Sequence, residues 1–390
     1  MNETVGAVNA LTAAWAQRTR GGTVFSAAGV WPLLAFLADG AEGTARDELT
    51  RAVGLPPDQA AAGARELLAG LASMHGVGAA LGLWTDRALE LREPWAAGLP
   101  ADAHGVLGAD PAASQEALDA WAARRTEGLV DRMPVTLTEG ARMVLATALA
   151  LHTDWRQPFE ETVLRPGTGP WQGRTLAGLR RSSVRTDRIG VTAGPDGHVT
   201  TVKVPGGNAL DVHLLLGEEG MAPGQVLRTG IAVLERALPV TSGGALPYGQ
   251  AGPGVTVERQ PSATPDPVRL DVTTVGFQVR ADHDLLHLHG LFGLSTAAGT
   301  REGHFPGISA APLAVGAAGQ SAVAEFGPLG FRAAAVTAVL AAPGGGPPRY
   351  GHESTVVRTV FDRPFGFLAV HRDSRLVLTA GWVTDPTPAG

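Results

Sequence analysis

The spacing nearest to a chemical motif is His283-Asp-Leu-Leu-His287, because two histidines four apart share a helix face and an acid between them mimics a zinc-protease helix. The acid is Asp where that motif has Glu, and the sequence offers no third ligand. Leu285, Leu286, Leu288 and Leu291 account for the helix as packing, so no metal is expected. His152-Thr-Asp154-Trp155 follows an apolar run and could hold an acid–base pair, but neighbouring side chains at a strand exit diverge, and a structural use is favoured. His213, set among Val212, Leu214 and Leu215, reads as a hydrogen-bonded core or edge histidine. With no cysteine, disulfides, thiolate metal sites, iron–sulfur clusters and cysteine nucleophiles are all excluded. There is no Gly-x-Ser-x-Gly elbow and no phosphate-binding glycine loop. Neither an enzyme nor a cofactor is expected.

The elements that carry these residues belong to a 390-residue chain with 44% hydrophobic and 17% charged residues, enough to bury a large core and too little charge for disorder. A net charge of −6 without a basic run argues against nucleic acid and anionic membranes as partners. No stretch reaches the roughly 20 apolar residues of a membrane span, and the start lacks the pattern of a secretory signal, so a cytoplasmic location is expected. Lys203 stands alone among the arginines, which points to a GC-rich bacterial genome.

Apolar residues at three- and four-residue spacing predict helices over 9–18, 31–39, 43–53, 57–73 and 114–132, with Thr44 and Ser114 as helix-start residues. Continuous apolar runs at 79–85 and 143–152 predict strands covered on both faces. From about residue 165 strands take over: 198–204 and 209–216 flank the turn Pro205-Gly-Gly-Asn208, and 271–280 alternates before a short helix at 284–289. The Gly-, Pro-, Ser- and Thr-rich stretch 242–267 reads as a long surface loop. Helices first and strands later indicate an α+β chain. Near the end, small residues fill 330–342, a strand or a helix by propensity, before a triple glycine and two prolines that must form an exposed loop ahead of a strand at 354–361.

Motifs spread over almost the whole chain resemble those of the serpin family. Val24-Phe-Ser26, with Gly40-Ala-Glu-Gly43-Thr44 and Glu48-Leu49, is similar to its Ser-Pro-x-Ser and Gly-Ala-x-Gly-x-Thr signatures. Leu118-Asp-Ala-Trp121 with Thr126-Glu-Gly128, then 148–155 with Pro158-Phe159 and Thr162, resemble its central motifs. Pro364-Phe365 and Gly381-Trp-Val383-Thr-Asp-Pro386 resemble the closing ones. The resemblance implies a single α+β domain over 1–390, with three β-sheets, about nine helices, and a hinge and exposed reactive-centre loop at 325–350.

In inhibitory members a serine or cysteine protease cleaves the loop, stays acylated, and is carried across the molecule as the hinge side inserts into the central sheet. Such insertion wants small residues. By the resemblance Gly330, Phe331, Arg332, Ala333, Ala334, Ala335, Val336 and Thr337 form the hinge. Counting from the hinge puts the scissile bond at Gly344–Gly345, while Arg349 or Tyr350 would suit trypsin-like or chymotrypsin-like proteases better. The sheet-opening gate falls on Ser26, Gly29, Thr147 and Gln320, the last three replacing the usual Ser, Asn and His. Pro328 and Leu329 replace acidic residues, and Phe331 replaces a small hydroxyl residue. Burying Phe331 gains about 2–3 kcal/mol if a pocket exists and costs about 1–3 kcal/mol if the slot is packed for a hydroxyl. The expected function is a monomeric serine protease inhibitor. The alternatives are a non-inhibitory fold recruited for ligand or partner binding, or catalysis in a pocket lined by His152, Arg180 and Arg181.

Overall fold

A computed structural model describes residues 2–100, 103–137, 142–299, 303–331 and 352–389, and among these lie eight α-helices and twenty strands, numbered here in chain order. The helices are α1 (Asn2–Ala16), α2 (Ala27–Gly40), α3 (Gly43–Val53), α4 (Pro57–Ser73), α5 (Glu93–Ala96), α6 (Pro111–Arg125), α7 (Pro223–Leu234) and α8 (His289–Phe292). The count among described residues is one fewer than the family pattern led us to expect. α2 is apolar on nearly every side, and every residue in it except Asp39 is buried, as a helix with no polar face must be. α3 spans 43–53 as expected, but the residue before it is Glu42 and Thr44 does not cap it; the expected start at Ser114 is corrected, since α6 begins at Pro111, capped by Asp110. Proline fits the first turn because its missing N–H has no partner there anyway, and Ser114 instead accepts from the Gly108 N–H at 2.9 Å.

The strands form three sheets. The first is wholly antiparallel, in the order β1 (Thr23–Phe25), β20 (Leu376–Val383), β19 (Phe365–His371), β10 (Leu210–Gly217), β9 (Gly197–Pro205), β8 (Ile189–Gly194), β11 (Thr241–Ser242). The second runs β12 (Gly249–Gly252), β13 (Val255–Ser262), β18 (His352–Val360), β14 (Arg269–Val275), β7 (Leu176–Ser183), β6 (Glu160–Leu164). The third runs β3 (His104–Leu107), β2 (Val77–Asp86), β4 (Met143–Leu151), β16 (Ala317–Phe326), with β17 (Gly330–Phe331) and β5 (Thr153–Asp154) at one end and β15 (Phe277–Asp284) along the other edge of β16.

β4 is buried along its whole length, as its unbroken apolar run requires. On one face Val144, Ala146 and Ala148 pack with Leu118 and Ala122 of α6; toward the other side lie α2 and the main core.

Two expectations fail for one reason: glycine and proline mark a hairpin turn as readily as a loop. The stretch 242–267 is not a surface loop; most of it is the β12–β13 hairpin, joined to β18. The alternating run 271–280 is not one strand. It breaks at Gly276 into β14 of the second sheet and β15 of the third, and His283 lies within β15 instead of entering a helix.

Candidate functional site

β4 and β16 are parallel neighbours, with Val144 to Leu149 opposite Ala317 to Ala322. Past Ala322 they separate. β16 continues to Phe326, the chain turns at Gly327-Pro-Leu, and β17 runs back between β16 and β5, with Phe331 opposite both Phe326 and Thr153 and Gly330 opposite Asp154. The seam between two parallel strands therefore already holds, at one end, the first residues of an antiparallel strand.

Local chemistry fixes that turn. Gly327 N–H donates to the Gly330 carbonyl at 3.0 Å, and the carbonyls of Leu329 and Pro328 accept from Trp155 and Phe159 N–H groups, each at 2.8 Å. The Trp155 indole N–H donates to the Gly327 carbonyl at 2.9 Å. Pro328 contributes only a carbonyl, so its missing N–H costs nothing here. Gly330 packs so closely that a Cβ would collide with the Thr153 carbonyl oxygen, and only glycine fits. Phe331 is 2% exposed, 6.0 Å from the Phe367 ring. Nearby, Phe326 stacks on Phe277 at 5.3 Å and meets Trp155 at 4.9 Å.

Behind the seam, Ser26, Gly29, Thr147 and Gln320 come together, all buried. The Gln320 side chain accepts from Ser26 N–H at 2.7 Å, donates to the Ser26 carbonyl at 2.8 Å, and donates to Thr147 Oγ1 at 3.0 Å. Ser26 Oγ donates to the Leu378 carbonyl at 2.6 Å while accepting from Gly29 N–H. One amide thus joins the start of α2 to both strands of the seam. Gly29 matters by its lack of bulk, since a Cβ there would lie 3.3 Å from Thr147 Oγ1 and 3.4 Å from Gln320 Nε2. The cluster is uncharged, so it can be separated without exposing an ion to a low-dielectric interior. Beside it, His283 lies opposite Gln320 on β15, donates Nε2–H to the Val24 carbonyl at 2.8 Å and sits edge-on to Trp15. Burial pushes its pKa down, against the Val24 hydrogen bond and Asp282.

A family model described as serpin (serine protease inhibitor) matches residues 4–168. The rice (Oryza sativa subsp. japonica) protein "Putative serpin-Z6A" is 27% identical over 388 residues, covering 93% of each chain. Native protease nexin-1, crystallised with heparin, superposes with a TM-score of 0.73 at 17% identity, covering 99% of both chains. Human thyroxine-binding globulin with its hormone gives 0.73 at 16% identity, covering 99% of this chain and 98% of that one. Residues 4–168 thus match the serpin family, and the whole chain shares the serpin fold. Its three sheets and eight described helices are the serpin fold, and the seam between β4 and β16 is the part of the central sheet that bears on the expected function.

The other residues singled out by sequence fall elsewhere. Arg332, Ala333, Ala334, Ala335, Val336 and Thr337 of the hinge, and Gly344, Gly345, Arg349 and Tyr350 of the scissile region, lie outside the described residues. His283 and His287 share no helix face: one lies in a strand, and the other is exposed beside Asp284 at 3.6 Å. Among the described residues no group of three metal-ligating side chains assembles. His152 faces Asp154 at 4.0 Å with half its side chain in water, and Arg180 pairs with Glu160 at 3.1 Å on the surface. Arg181 is buried 4.4 Å over the Phe159 ring, and desolvation lowers it to about 10, with Arg188 adding. These groups do not form one pocket.

Sequence reasoning missed Trp155 and Phe159 as the residues that hold the hinge turn. The signal was present in Gly327-Pro-Leu-Gly330, two glycines bracketing a proline, which is turn chemistry on its own terms.

Proposed function

We propose that this serpin traps a target protease by letting β17 lengthen into a full strand between β4 and β16 after cleavage within 332–351. The observation that carries the reading is the position of Gly330 and Phe331, already hydrogen-bonded as a strand at the open end of a parallel seam. An inserted strand would be antiparallel to both neighbours, replacing one parallel ladder by two antiparallel ones, which are somewhat more stable per residue. At about 1 kcal/mol net per added hydrogen bond, some ten new bonds release on the order of 10 kcal/mol. Pro328, Leu329 and Phe331, which depart from the inhibitory pattern, support this reading through their local fit: the first two serve as carbonyl acceptors and Phe331 fills a pocket.

The partner is a protease of the serine class, with cysteine proteases as the second class, the acting form is a monomer, and the setting is cytoplasmic; the cleaved bond lies at Gly344–Gly345 or at Arg349 or Tyr350. Incubation with trypsin, chymotrypsin and subtilisin tests this. A complex that survives denaturing electrophoresis is expected with at least one, and nicked chain alone with all three would reject the trap.

A further inference from the structure

Positive charge collects at the corner where the second sheet passes into the first. Arg181 on β7 is buried, with its guanidinium over the Phe159 ring and its Nη1 donating to the Gln157 carbonyl at 3.1 Å. The link from β7 to β8 carries Arg188, which stands one residue before Ile189, the partner of Val202 on β9. Arg188 is half-buried, and its Nη1 is out of contact with water with no hydrogen-bond partner among the described residues. Arg156, the neighbour of Gln157, is exposed and forms the open side of the corner. Its Nε donates to the Gly206 carbonyl at 3.2 Å, the same oxygen that accepts from Arg372 Nη2 at 2.9 Å.

The two carboxylates that act on Arg188 are already engaged elsewhere. Asp187 accepts from Nε and Nη2 of Arg185 at 2.9 and 2.8 Å. Asp211, almost fully enclosed, accepts from Nε and Nη2 of Arg372 and lies 3.0 Å from Lys203 Nζ. The imbalance shows in the arginines themselves. Burial pushes the pKa of Arg188 down, with Arg185 and Arg156 adding and Asp187 and Asp211 opposing. Burial also brings Arg181 down to about 10, and its charged neighbour is Arg188. A guanidinium withdrawn from water without a counter-charge is unfavourable, and an idle buried donor adds to that cost.

We infer that Arg156, Arg181 and Arg188 form a binding site for a phosphate group, set between β7, the start of β8 and the residues that follow β5. A phosphate brings close to two negative charges and several acceptor oxygens, which suits planar, forked donors arriving from three directions better than one carboxylate does. Arg188 is the residue that responds. It ends a single 3₁₀ turn, Thr186–Arg188, and its long side chain can swing toward an anion entering beside Arg156, which gives the idle Nη1 a partner. The site borders the hinge turn, because the Phe159 that lies against Arg181 also donates its N–H to the Pro328 carbonyl.

The test is calorimetric titration of the full chain with inorganic phosphate, and in parallel with ribose 5-phosphate, at an ionic strength held constant with sodium chloride. One saturable site is expected. Arg188→Met should weaken it on the order of tenfold or abolish it, and Arg156→Gln, at an exposed position, should weaken it in the same direction. Without phosphate, Arg188→Met should melt no lower than the parent, because it removes one of the crowded charges; a residue that only holds the fold would lower the melting temperature. Arg280→Met, which loses a pair with Asp131 on the third sheet, should bind as the parent does. Binding of both compounds would mean that the site takes phosphate on the end of a larger molecule, and binding of inorganic phosphate alone that it takes the free ion. No saturable binding of either, or affinity unchanged in both Arg188→Met and Arg156→Gln, would overturn the site.

Discussion

On one side of residues 332–351, β17 is two residues long and touches its sheet through one residue pair to β16 and two to β5; on the other, β18 is nine residues long and lies between two ladders. The two ends of the segment are held unequally, and the direction of any large movement follows from that. The short end lies at an open seam and can lengthen, whereas the long end can only be lost. Cutting the segment should therefore release the short end alone. On the order of 10 kcal/mol of new ladder should raise the melting temperature of the cleaved chain by roughly 10–20 °C. Calorimetry before and after limited subtilisin digestion measures this, and coincident melting curves would mean that the ends differ in length but not in freedom to move.

Phe331 is what holds the short end down. Its ring is buried beside Phe367, so Phe331→Ala removes most of the packing of β17 and leaves a cavity. The expected loss is about 3–4 kcal/mol of stability in the uncleaved chain, seen in urea titration, together with faster nicking after residue 331. A loss below about 1 kcal/mol would show that the turn bonds from Trp155 and Phe159 hold the hinge without the ring. Because those bonds go to carbonyls, substitution of Pro328 should matter far less.

Much of this comparison could be read from the sequence, but unevenly. The apolar run of β4, the gate residues Ser26, Gly29, Thr147 and Gln320 and the pivot Gly330 all stand in local sequence signals or in the family motifs around them. What stayed hidden depends on partners far along the chain. The pocket for Phe331 is supplied by Phe367, so no local pattern could tell whether that ring gains or costs energy. The β12–β13 hairpin was concealed by its composition, since Gly252-Pro-Gly254 reads equally as linker and as turn until β18, about a hundred residues on, supplies the strand to pair with. The histidine pair was misjudged because Asp284-Leu-Leu-His287 has helical spacing, whereas pairing with β16 keeps His283 in a strand.

β10 of the first sheet offers a control, because it pairs with β9 and β19 and with no strand of either end. His213 on β10 is half-buried opposite Lys203, and desolvation lowers its pKa to about 4, with Asp211 opposing and Lys203 adding. The unfolded chain takes up a proton near the ordinary value of about 6.5, and the folded chain does so only near 4. Its contribution is thus complete above about pH 6.5 and is lost as the pH falls from there toward 4, about 1–3 kcal/mol in all. The lowered Asp211, held by Arg372 and Lys203 against its own burial, acts in a more acidic window. Urea titrations at pH 7.5, 5.5 and 4.5 should show the decline, and His213→Gln should flatten it. Insertion after cleavage should keep its rate over the same range; a parallel slowing would mean that the first sheet is coupled to the seam.

The smallest effect tests the latch behind the seam. Thr147→Val keeps the shape of the side chain and deletes only the hydroxyl that accepts from Gln320 Nε2 at 3.0 Å. Gln320 retains both bonds to Ser26, so the amide stays attached to α2 and to β16 while its tie to β4 is cut. One buried neutral hydrogen bond is worth about 1 kcal/mol, and the uncleaved chain should lose about that much. The tie must break before a strand can pass between β4 and β16, so its loss should also quicken insertion after cleavage, by up to about fivefold if the bond is already broken in the rate-limiting state. Stopped-flow fluorescence of Trp155, beside the hinge turn, can follow that step after rapid cleavage. A loss of stability with an unchanged insertion rate would place the break after the barrier, and the latch would then be packing rather than a gate.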